Sequence, residues 1–426
     1  MRYLLAAAIV LSLAVQSPVQ AQASFDTKAV LANIDSRAKQ YADVAMKIWG
    51  FAEVGYQEQK SSALLQEQLK SAGFAVKSGV AEIPTAFTAE WGSGKPVIGI
   101  IGEFDALPGL SQAAEPERHA LDAEGAGHGC GHHLFGTAST AAAIAVKEWL
   151  VSTKHAGTLR FYGTPAEEGG AGKVRLMDAG VFRDVDAAMM IHGRCGTQVW
   201  RPSLGIIKVK AEFHGKATHA SSWPWRGVNA LNAVIQLFVA LDQMRQQLRT
   251  DARVHGIIVK GGDQPNIIPE YTRADFYLRA LTKDYCQELL RRFTACADGA
   301  AAATGCRAEV TAESIIHDPL RPNPTMAELF EKNLGVIGFP VDADDGEAGY
   351  GSTDCGNVSQ ALPTIHPYIR ISPDGVPGHS REFAQWARSP MARAGMVAGA
   401  KALALTALDL LASPDKLKAA KEDFAR

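Results

Sequence analysis

The sequence predicts an α/β protein built on a doubly wound, mostly parallel sheet, with a smaller ferredoxin-like domain inserted into it. Three observations support this fold class. Strand and helix signals alternate through the first half, residues of metal-binding types follow several strands, and the order changes to β-α-β-β-α-β between positions 205 and 317. A chain of 426 residues is long enough to bury a core in each of two domains.

The first half of the chain carries the alternating pattern. A continuous apolar run at 96–102 is typical of a strand that is buried on both faces. Helical spacing of apolar residues precedes it, and further helices and strands follow it. The predicted helices are 29–49, 60–72, 136–150 and 173–178, and the other predicted strands are 158–162 and 187–191. This order predicts a parallel sheet with helices on its faces.

The second domain begins where strict alternation replaces continuous apolar runs. The predicted strands are 206–214, 254–259, 274–278 and 308–312, and the predicted helices are 228–248 and 284–303. This order is that of a ferredoxin-like unit. We therefore expect an inserted domain at 205–317 and a larger domain formed by 24–204 and 318–426. A helix is predicted at 391–411, and the charged tail after Ser413 is predicted to be a frayed helix.

The first 23 residues have the composition of a secretory signal. Arg2 precedes an apolar run of about 12 residues, and small residues at Ala21 and Ala23 suit a cleavage site. Such a run is too short to span a bilayer, and no later stretch is predicted to be long enough. The protein is therefore expected to be exported, either to the periplasm or out of the cell.

Charge and cysteine content exclude two classes of protein. A formal net charge of -2 gives no basic footprint for nucleic-acid binding. Six cysteines scattered along the chain do not form a disulfide framework. Pairing of Cys296 with Cys306 across a local turn stays open.

Side chains that bind metals follow the strands of the larger domain. Because the carboxyl ends of parallel strands meet at one edge of a sheet, we expect these side chains to lie close together. Thiolate, imidazole and carboxylate form a ligand set suited to zinc, or to manganese where carboxylates dominate. The residues concerned are Asp105, His128, Cys130, His132, His133, Glu167, Glu168 and His192.

Other interpretations remain open from these residues alone. The segment HGCGHH at 128–133 suits a single ion, as in a single-metal zinc hydrolase. An exported metal- or peptide-binding protein without turnover would also keep such a site. A serine hydrolase is disfavoured because no G-x-S-x-G segment lies at a strand–helix turn.

Eight short motifs, in order along the chain, resemble the aminoacylase and glutamate-carboxypeptidase family of dinuclear metallohydrolases. The similarity is to its amidohydrolase branch, which includes p-aminobenzoyl-glutamate hydrolases and indole-acetyl-amino-acid hydrolases. The motifs are GEFDALP at 102–108, GHGCGH at 127–132, PAEE at 165–168, IHG at 191–193, GKATHAS at 215–221, NIIP at 266–269, GSTDCG at 351–356 and PGHS at 377–380.

The resemblance implies a metal-dependent hydrolase with two divalent ions, Zn or Mn, in the larger domain. The metals would activate water to cleave the amide bond of a small N-acyl or N-aroyl amino acid, or of a dipeptide, with a free carboxylate. Glu167 would be the general base, and Asp105 would orient a ligand. The implied metal ligands are Cys130, His132, Glu168, His192 and His379, with the thiolate bridging the two ions.

The resemblance also gives the inserted domain a role as lid and dimerisation domain of a homodimer. His219 would approach the catalytic site of its own or the partner subunit and donate to the developing oxyanion. Asn266 would contact the substrate carboxylate. The chain departs from the family pattern at His133, where relatives carry Asp or Asn, at Asn357, where relatives often carry Asp, and at Glu103, where older branches carry His.

Overall fold

The structure is a computed structural model that describes residues 26–112, 121–122, 124–313, 316–343 and 349–426. The predicted secretory signal at 1–23 lies outside the described residues. Helices and strands are numbered along the chain. The helices are α1 (Thr27–Ser36), α2 (Ala38–Phe51), α3 (Gln59–Ser71), α4 (His132–Thr153), α5 (Gly172–Asp178), α6 (Ala230–Met244), α7 (Lys283–Thr304), α8 (Pro324–Val336), α9 (Cys355–Ala361), α10 (Arg381–Trp386), α11 (Pro390–Ala412) and α12 (Pro414–Ala425). The strands are β1 (Ala75–Ser78), β2 (Phe87–Ser93), β3 (Val97–Gly102), β4 (Gly157–Gly163), β5 (Ala187–Met189), β6 (His192–Arg194), β7 (Gly205–His214), β8 (Arg253–Lys260), β9 (Tyr271–Ala280), β10 (Arg307–Ala312), β11 (Thr364–Ile365) and β12 (Tyr368–Arg370).

The central sheet has the strand order β1-β2-β4-β3-β5-β11. Strands β4, β3, β5 and β11 pair in parallel, whereas β1 and β2 add to one edge by antiparallel pairing. The predicted mostly parallel sheet is therefore confirmed. The antiparallel strands β1 and β2 were not predicted, because β1 is short and both strands are only partly buried.

Strand β3 is buried on both faces, as its continuous apolar run predicts. Ile98 and Ile100 pack into the main core with α1 to α4, α8, α11 and α12. Val97 and Ile101 point to the opposite face, where they join a smaller core with α5 and α9. The sheet therefore lies between two layers of helices. Because its central strands are parallel, their carboxyl ends lie at one shared edge.

The inserted unit forms its own antiparallel sheet, in the order β10-β7-β9-β8. Helices α6 and α7 cover one face and form a separate core with alternate residues of β7 and β9. The predicted order β-α-β-β-α-β is confirmed. Strand β8 lies at an edge of this sheet and exposes Ile257, Ile258 and Val259.

The first predicted helix and the predicted C-terminal tail differ most clearly from the structure. The first, at 29–49, is two helices that meet at Arg37. The tail after Ser413 is not frayed: Leu417 and Ala420 of α12 are buried, and the amide of Asn323 donates a hydrogen bond to the Ala420 carbonyl, 2.8 Å away. The charged residues of the tail face outward, so its composition hides this buried stripe.

Helix α11 corrects the expectation that no later stretch reaches membrane-spanning length. Its 23 residues are long and apolar enough by those criteria alone. However, 83% of its most apolar 18-residue stretch is buried inside the protein, as in the core helix of a globular domain. Its apolar surface is therefore used for packing against the sheet and α4.

All six cysteines are free, including Cys296 and Cys306.

Candidate metal centre

The edge formed by the carboxyl ends of the parallel strands brings the sequence-predicted site residues together. Asp105 follows β3, the pair Glu167 and Glu168 follows β4, and His192 follows β5. Cys130 comes directly before α4. The helix begins at His132 rather than at Gly136 as predicted, so His132 lies in its first turn.

Gly131 allows the turn between Cys130 and His132. Its φ of 84° is left-handed, and an added Cβ would lie 2.9 Å from Ile371 Cδ1. On the same loop, the Gly129 carbonyl accepts a hydrogen bond from the backbone N–H of His379 at 2.8 Å. The main chain therefore fastens the segment that carries His379 to the segment that carries Cys130.

Five donor atoms meet in this cluster. Cys130 Sγ lies 3.2 Å from His192 Nε2 and 3.4 Å from His379 Nε2. His132 Nε2 lies 3.3 Å from His192 Nε2. His379 Nε2 lies 3.4 Å from a carboxylate oxygen of Glu168. The cluster thus divides into a Cys130–His132–His192 group and a Cys130–Glu168–His379 group that share the sulfur.

The hydrogen bonds that the rings of His132 and His192 make through Nδ1 show that this cluster suits cations. His132 Nδ1 lies 2.9 Å from Asp105 Oδ1, and His192 Nδ1 lies 2.9 Å from the Gly193 carbonyl oxygen. Both oxygens act as acceptors, so each Nδ1 carries a proton, and in a neutral ring Nε2 presents a lone pair. Two such lone pairs at 3.3 Å beside a sulfur repel unless a proton or a metal ion lies between them. The residues present therefore fit metal ions.

Asp105 connects two of the candidate ligands. One of its oxygens accepts from His132 Nδ1, and the other accepts from the backbone N–H of Glu168 at 3.0 Å. The residue is 1% exposed, so these contacts are sheltered from water. This arrangement fixes both the ring of His132 and the start of the Glu168 segment, as an orienting residue requires.

Glu167 lies beside the cluster with an unusual protonation preference. It is 9% exposed. Burial raises the pKa of its carboxyl well above the usual range, and the charges of Glu103 and Glu168 add to this effect. A carboxyl with a raised pKa is a stronger base than an ordinary carboxylate, which suits a group that takes and returns a proton.

A cavity of about 800 Å³ opens onto the cluster. The larger domain contributes Glu167, Glu168 and His379 to its wall, and the inserted domain contributes Lys208, Tyr277 and Arg279 among other residues. These inserted-domain residues lie on the face of β7 and β9 that is opposite to α6 and α7. Both domains therefore shape the space where a small molecule would bind.

His366 also faces this cavity and was not predicted. It follows β11 and is 2% exposed, yet both of its ring nitrogens have no hydrogen-bond partner among the described residues. Burial lowers the pKa of His366 to about 4, so the ring is neutral near pH 7. The sequence did not identify it, because β11 is only two residues long and was not predicted as a strand.

Neither His219 nor Asn266 lies among the residues that line the cavity within one chain. His219 is exposed, and its Nδ1 accepts from the backbone N–H of Ser222 at 3.2 Å. Asn266 is also exposed, and its carbonyl accepts from the N–H of Ala220 at 2.9 Å. The two residues are neighbours in a pair of loops at the end of the inserted domain.

His133 makes its contacts away from the cluster. Its Nε2 lies 3.0 Å from the Ala387 carbonyl oxygen, and its ring lies against that of His128. His128 Nε2 in turn lies 3.1 Å from the Ile48 carbonyl oxygen. These two histidines tie the start of α4 to α2 and to the end of α10. Asn357 contributes to packing as well, because its amide donates to the Ile316 carbonyl at 3.0 Å.

Comparison with known proteins agrees with this combination of fold and site. The M20 peptidase dimerisation domain matches residues 203–304. The chain is 34% identical to the Xaa-Arg dipeptidase of Mus musculus over 406 residues, which cover 92% of this chain and 90% of that protein. It is 32% identical to a p-aminobenzoyl-glutamate hydrolase chain of Escherichia coli over 447 residues, with coverages of 92% and 93%.

The chain therefore belongs to the M20 family, whose members are hydrolases. Solved structures show the same fold. A dinuclear metal-binding M20 peptidase from Bacillus subtilis superposes with a TM-score of 0.69 at 20% identity, covering 88% of this chain and 99% of that one. An aminobenzoyl-glutamate utilization protein from Klebsiella pneumoniae gives a TM-score of 0.62 at 18% identity, with coverages of 89% and 97%.

Proposed function

We propose that this protein is an exported amidohydrolase with two divalent metal ions, Zn or Mn, that hydrolyses small N-acyl amino acids, N-aroyl amino acids or dipeptides. The observation that carries this proposal is the shared-sulfur cluster, in which five donor atoms from four segments face inward. A single ion would occupy only one of the two groups, and the side chains of the other group would then have no metal to bind.

Cys130, His132 and His192 would hold one ion, and Cys130, Glu168 and His379 would hold the other. When bound, the ions would polarise the amide carbonyl and lower the pKa of a water molecule toward about 7. Glu167 takes the proton of the attacking water on its carboxylate and then delivers it to the leaving amine. Asp105 keeps the His132 ring in the required orientation throughout.

Charge in the cavity supports a substrate with a free carboxylate. Arg194, Lys208 and Arg279 line it together with the metal cluster. The Nε of Arg279 is buried without a hydrogen-bond partner, so it has donor capacity to spare. The names of the two relatives, a dipeptidase and a p-aminobenzoyl-glutamate hydrolase, both describe an amide that joins an acyl or aroyl group to an amino acid.

The edge strand β8 supports a homodimer through the inserted domain. Ile257 is 67% exposed and Val259 is 50% exposed, which leaves an apolar edge open to pairing. The match to a dimerisation domain over residues 203–304 is consistent with this surface. In such a dimer, His219 and Asn266 would serve the active site of the partner subunit, since neither reaches the cavity of its own chain.

A metal count and a substrate panel test the proposal. Purified protein should contain about two ions per chain, and it should release the amino acid from members of a panel of N-acyl amino acids and dipeptides. A chelator should abolish turnover, and added Zn or Mn should restore it. Fewer than about one ion per chain, or binding of the whole panel with no amino acid released, would contradict the proposed function.

Export is tested separately by the N-terminus of the mature protein. Mass spectrometry of protein recovered from the periplasm or medium should show a chain that begins at Ser24. An intact N-terminus on a protein that stays in the cytoplasm would contradict this part of the proposal.

A further inference from the structure

A fully buried ion cluster lies directly beneath the metal centre. Lys173 Nζ donates to Glu103 Oε1 at 2.5 Å and to Asp354 Oδ1 at 2.6 Å. All three side chains are 0% exposed. Lys173 comes from α5, Asp354 precedes α9, and Glu103 follows β3. Three separate segments therefore converge on one ammonium group.

Asp354 alone would be a sufficient partner for Lys173. Its second oxygen accepts from the backbone N–H of Lys173 at 2.9 Å, so both of its oxygens are used in this pairing. Glu103 uses only Oε1. A second carboxylate in a dry interior adds a desolvation cost that a purely structural ion pair does not need. This surplus charge calls for another partner.

The other oxygen of Glu103 points toward the metal centre. Oε2 is buried and has no hydrogen-bond partner among the described residues. It lies 3.3 Å from His132 Nε2, the nitrogen that also faces His192. When the His132 ring carries a proton on both nitrogens, this approach is an ion pair, and a metal ion bound at Nε2 would replace that proton. In either case the anionic oxygen faces a positive charge at Nε2.

We propose that Glu103 is a sixth protein group of the metal centre, and that its Oε2 contacts the ion held by Cys130, His132 and His192. This inference rests on the proposed function, since it requires that the ion binds. Lys173 holds Oε1 and thereby fixes the direction of Oε2. The first ion thus gains an anionic oxygen ligand beside one thiolate and two imidazoles.

The substitution Glu103→Gln tests the proposal, because it removes the charge while it keeps the volume. Stripped protein is titrated with Zn²⁺ against a chromophoric chelator and, separately, with Co²⁺ while the visible absorption is recorded. We expect one of the two ions to bind at least about tenfold more weakly and the other to keep its affinity. The visible absorption of Co²⁺ bound by Cys130, His132 and His192 should change as well. Unchanged affinities and an unchanged spectrum would overturn the proposal.

A matched control is Glu58→Gln. Glu58 is also 0% exposed, and one of its oxygens accepts from the backbone N–H of Ala166 at 2.8 Å. Within the described part of the chain, no contact joins the Glu58 carboxyl to a histidine nitrogen of the cluster. Both ion affinities should match those of the unmodified protein. Equal losses in both variants would show a general effect of neutralising a buried carboxyl, which would also overturn the proposal.

Glu103→Asp covers the case in which the Gln variant does not fold. It keeps the negative charge for Lys173, but it is one methylene shorter and withdraws the second oxygen from His132. The melting temperature without metal should stay close to that of the unmodified protein, while the affinity for one ion falls.

If the unmodified protein binds less than about one ion, the proposed function fails. If it binds two and the folded variants bind both equally well, only the role of Glu103 fails.

Discussion

The metal centre and the outer end of the inserted domain hold their polar side chains in opposite ways. At the metal centre, His132 and Asp105 are 0% and 1% exposed, and each has its contacts within one chain. At the outer end, His219 and Asn266 are exposed, and the nearby Trp223 and Trp225 are 54% and 74% exposed. The polar groups of the first region are enclosed by their own chain, whereas those of the second region are open to solvent.

The difference distinguishes a site that is organised within one chain from a surface that would be organised by association with another chain. At the sheet edge, hydrogen bonds through Nδ1 orient the rings of His132 and His192, so two of the ligand nitrogens are positioned before an ion binds. The exposed loops of the inserted domain would be shielded from water only when another surface covers them. In the proposed homodimer, chemistry would therefore depend on groups from two chains, even though each metal centre belongs to one.

Loss of Glu167, the proposed general base in the buried region, should give the largest effect. Glu167→Ala should lower kcat by about 10³-fold or more, because proton transfer to the leaving amine loses its carrier. Elemental analysis should still find two ions per chain. The surface variant Glu90→Ala serves as the control for expression and activity. Substantial turnover in Glu167→Ala would show that another group is the base.

Loss of His219 should give the next largest effect, and it tests whether the exposed region acts on the partner subunit. His219→Ala should lower kcat by about 10²- to 10³-fold, the typical loss for one oxyanion donor. Mixing this variant with Glu167→Ala should restore roughly a quarter of full activity, because half of randomly paired dimers then carry one intact composite site. Absence of recovery in a mixture that exchanges subunits would mean that His219 does not act across subunits.

The edge strand should give a smaller effect, on association. Ile257→Lys places a charge on the exposed edge of β8, and two-fold symmetry brings the two copies of that charge together. The dimer dissociation constant should rise by about 10²-fold, measured by sedimentation or light scattering, and activity should fall in parallel at low concentration. Thr311→Lys on β10, the opposite edge of the sheet, is the matched control. If both variants dimerise normally, the interface does not use β8.

The smallest effect concerns pH and stability in the buried region. Burial, helped by the charge of Asp105, raises the pKa of Glu58 from 4.5 to about 7. The folded state therefore holds a proton that the unfolded state releases, so stability falls as pH rises from about 4.5 to 7. Glu58→Gln should remove this dependence and raise the free energy of unfolding by on the order of 2 kcal/mol at pH 8, with little gain at pH 4.

Urea denaturation at the two pH values measures this difference. Glu67→Gln, a change at an exposed position on α3, is the control. An equal gain at both pH values would show that the substitution acts through packing rather than through proton binding.

Much of the buried region was predictable because local pattern and sheet geometry act together there. The apolar run of β3 identifies a strand buried on both faces, and Asp105 comes directly after it. Glu168 and His192 follow strands in the same way. The rule that parallel strands share one carboxyl edge then brings these residues together without any knowledge of tertiary contacts.

The remaining site features depend on tertiary contacts that no local pattern reports. His379 lies in a loop nine residues after β12, and only family resemblance identified it. Lys173 occurs in a short helix, where a lysine normally faces solvent, yet it is fully buried between two carboxylates. In the sequence its partner Glu103 is only a departure from the family pattern, whereas in the fold its second oxygen faces His132.

His379 adopts a left-handed backbone conformation with φ of 59°, which costs a residue with a side chain about 1 kcal/mol. Its imidazole is also 59% exposed, so packing does little to compensate. Glycine would be the more stable choice at such a position, and it would carry no ligand atom. The histidine therefore represents a trade-off between stability and function, in which the folded chain tolerates local strain to keep a nitrogen beside Cys130 and Glu168.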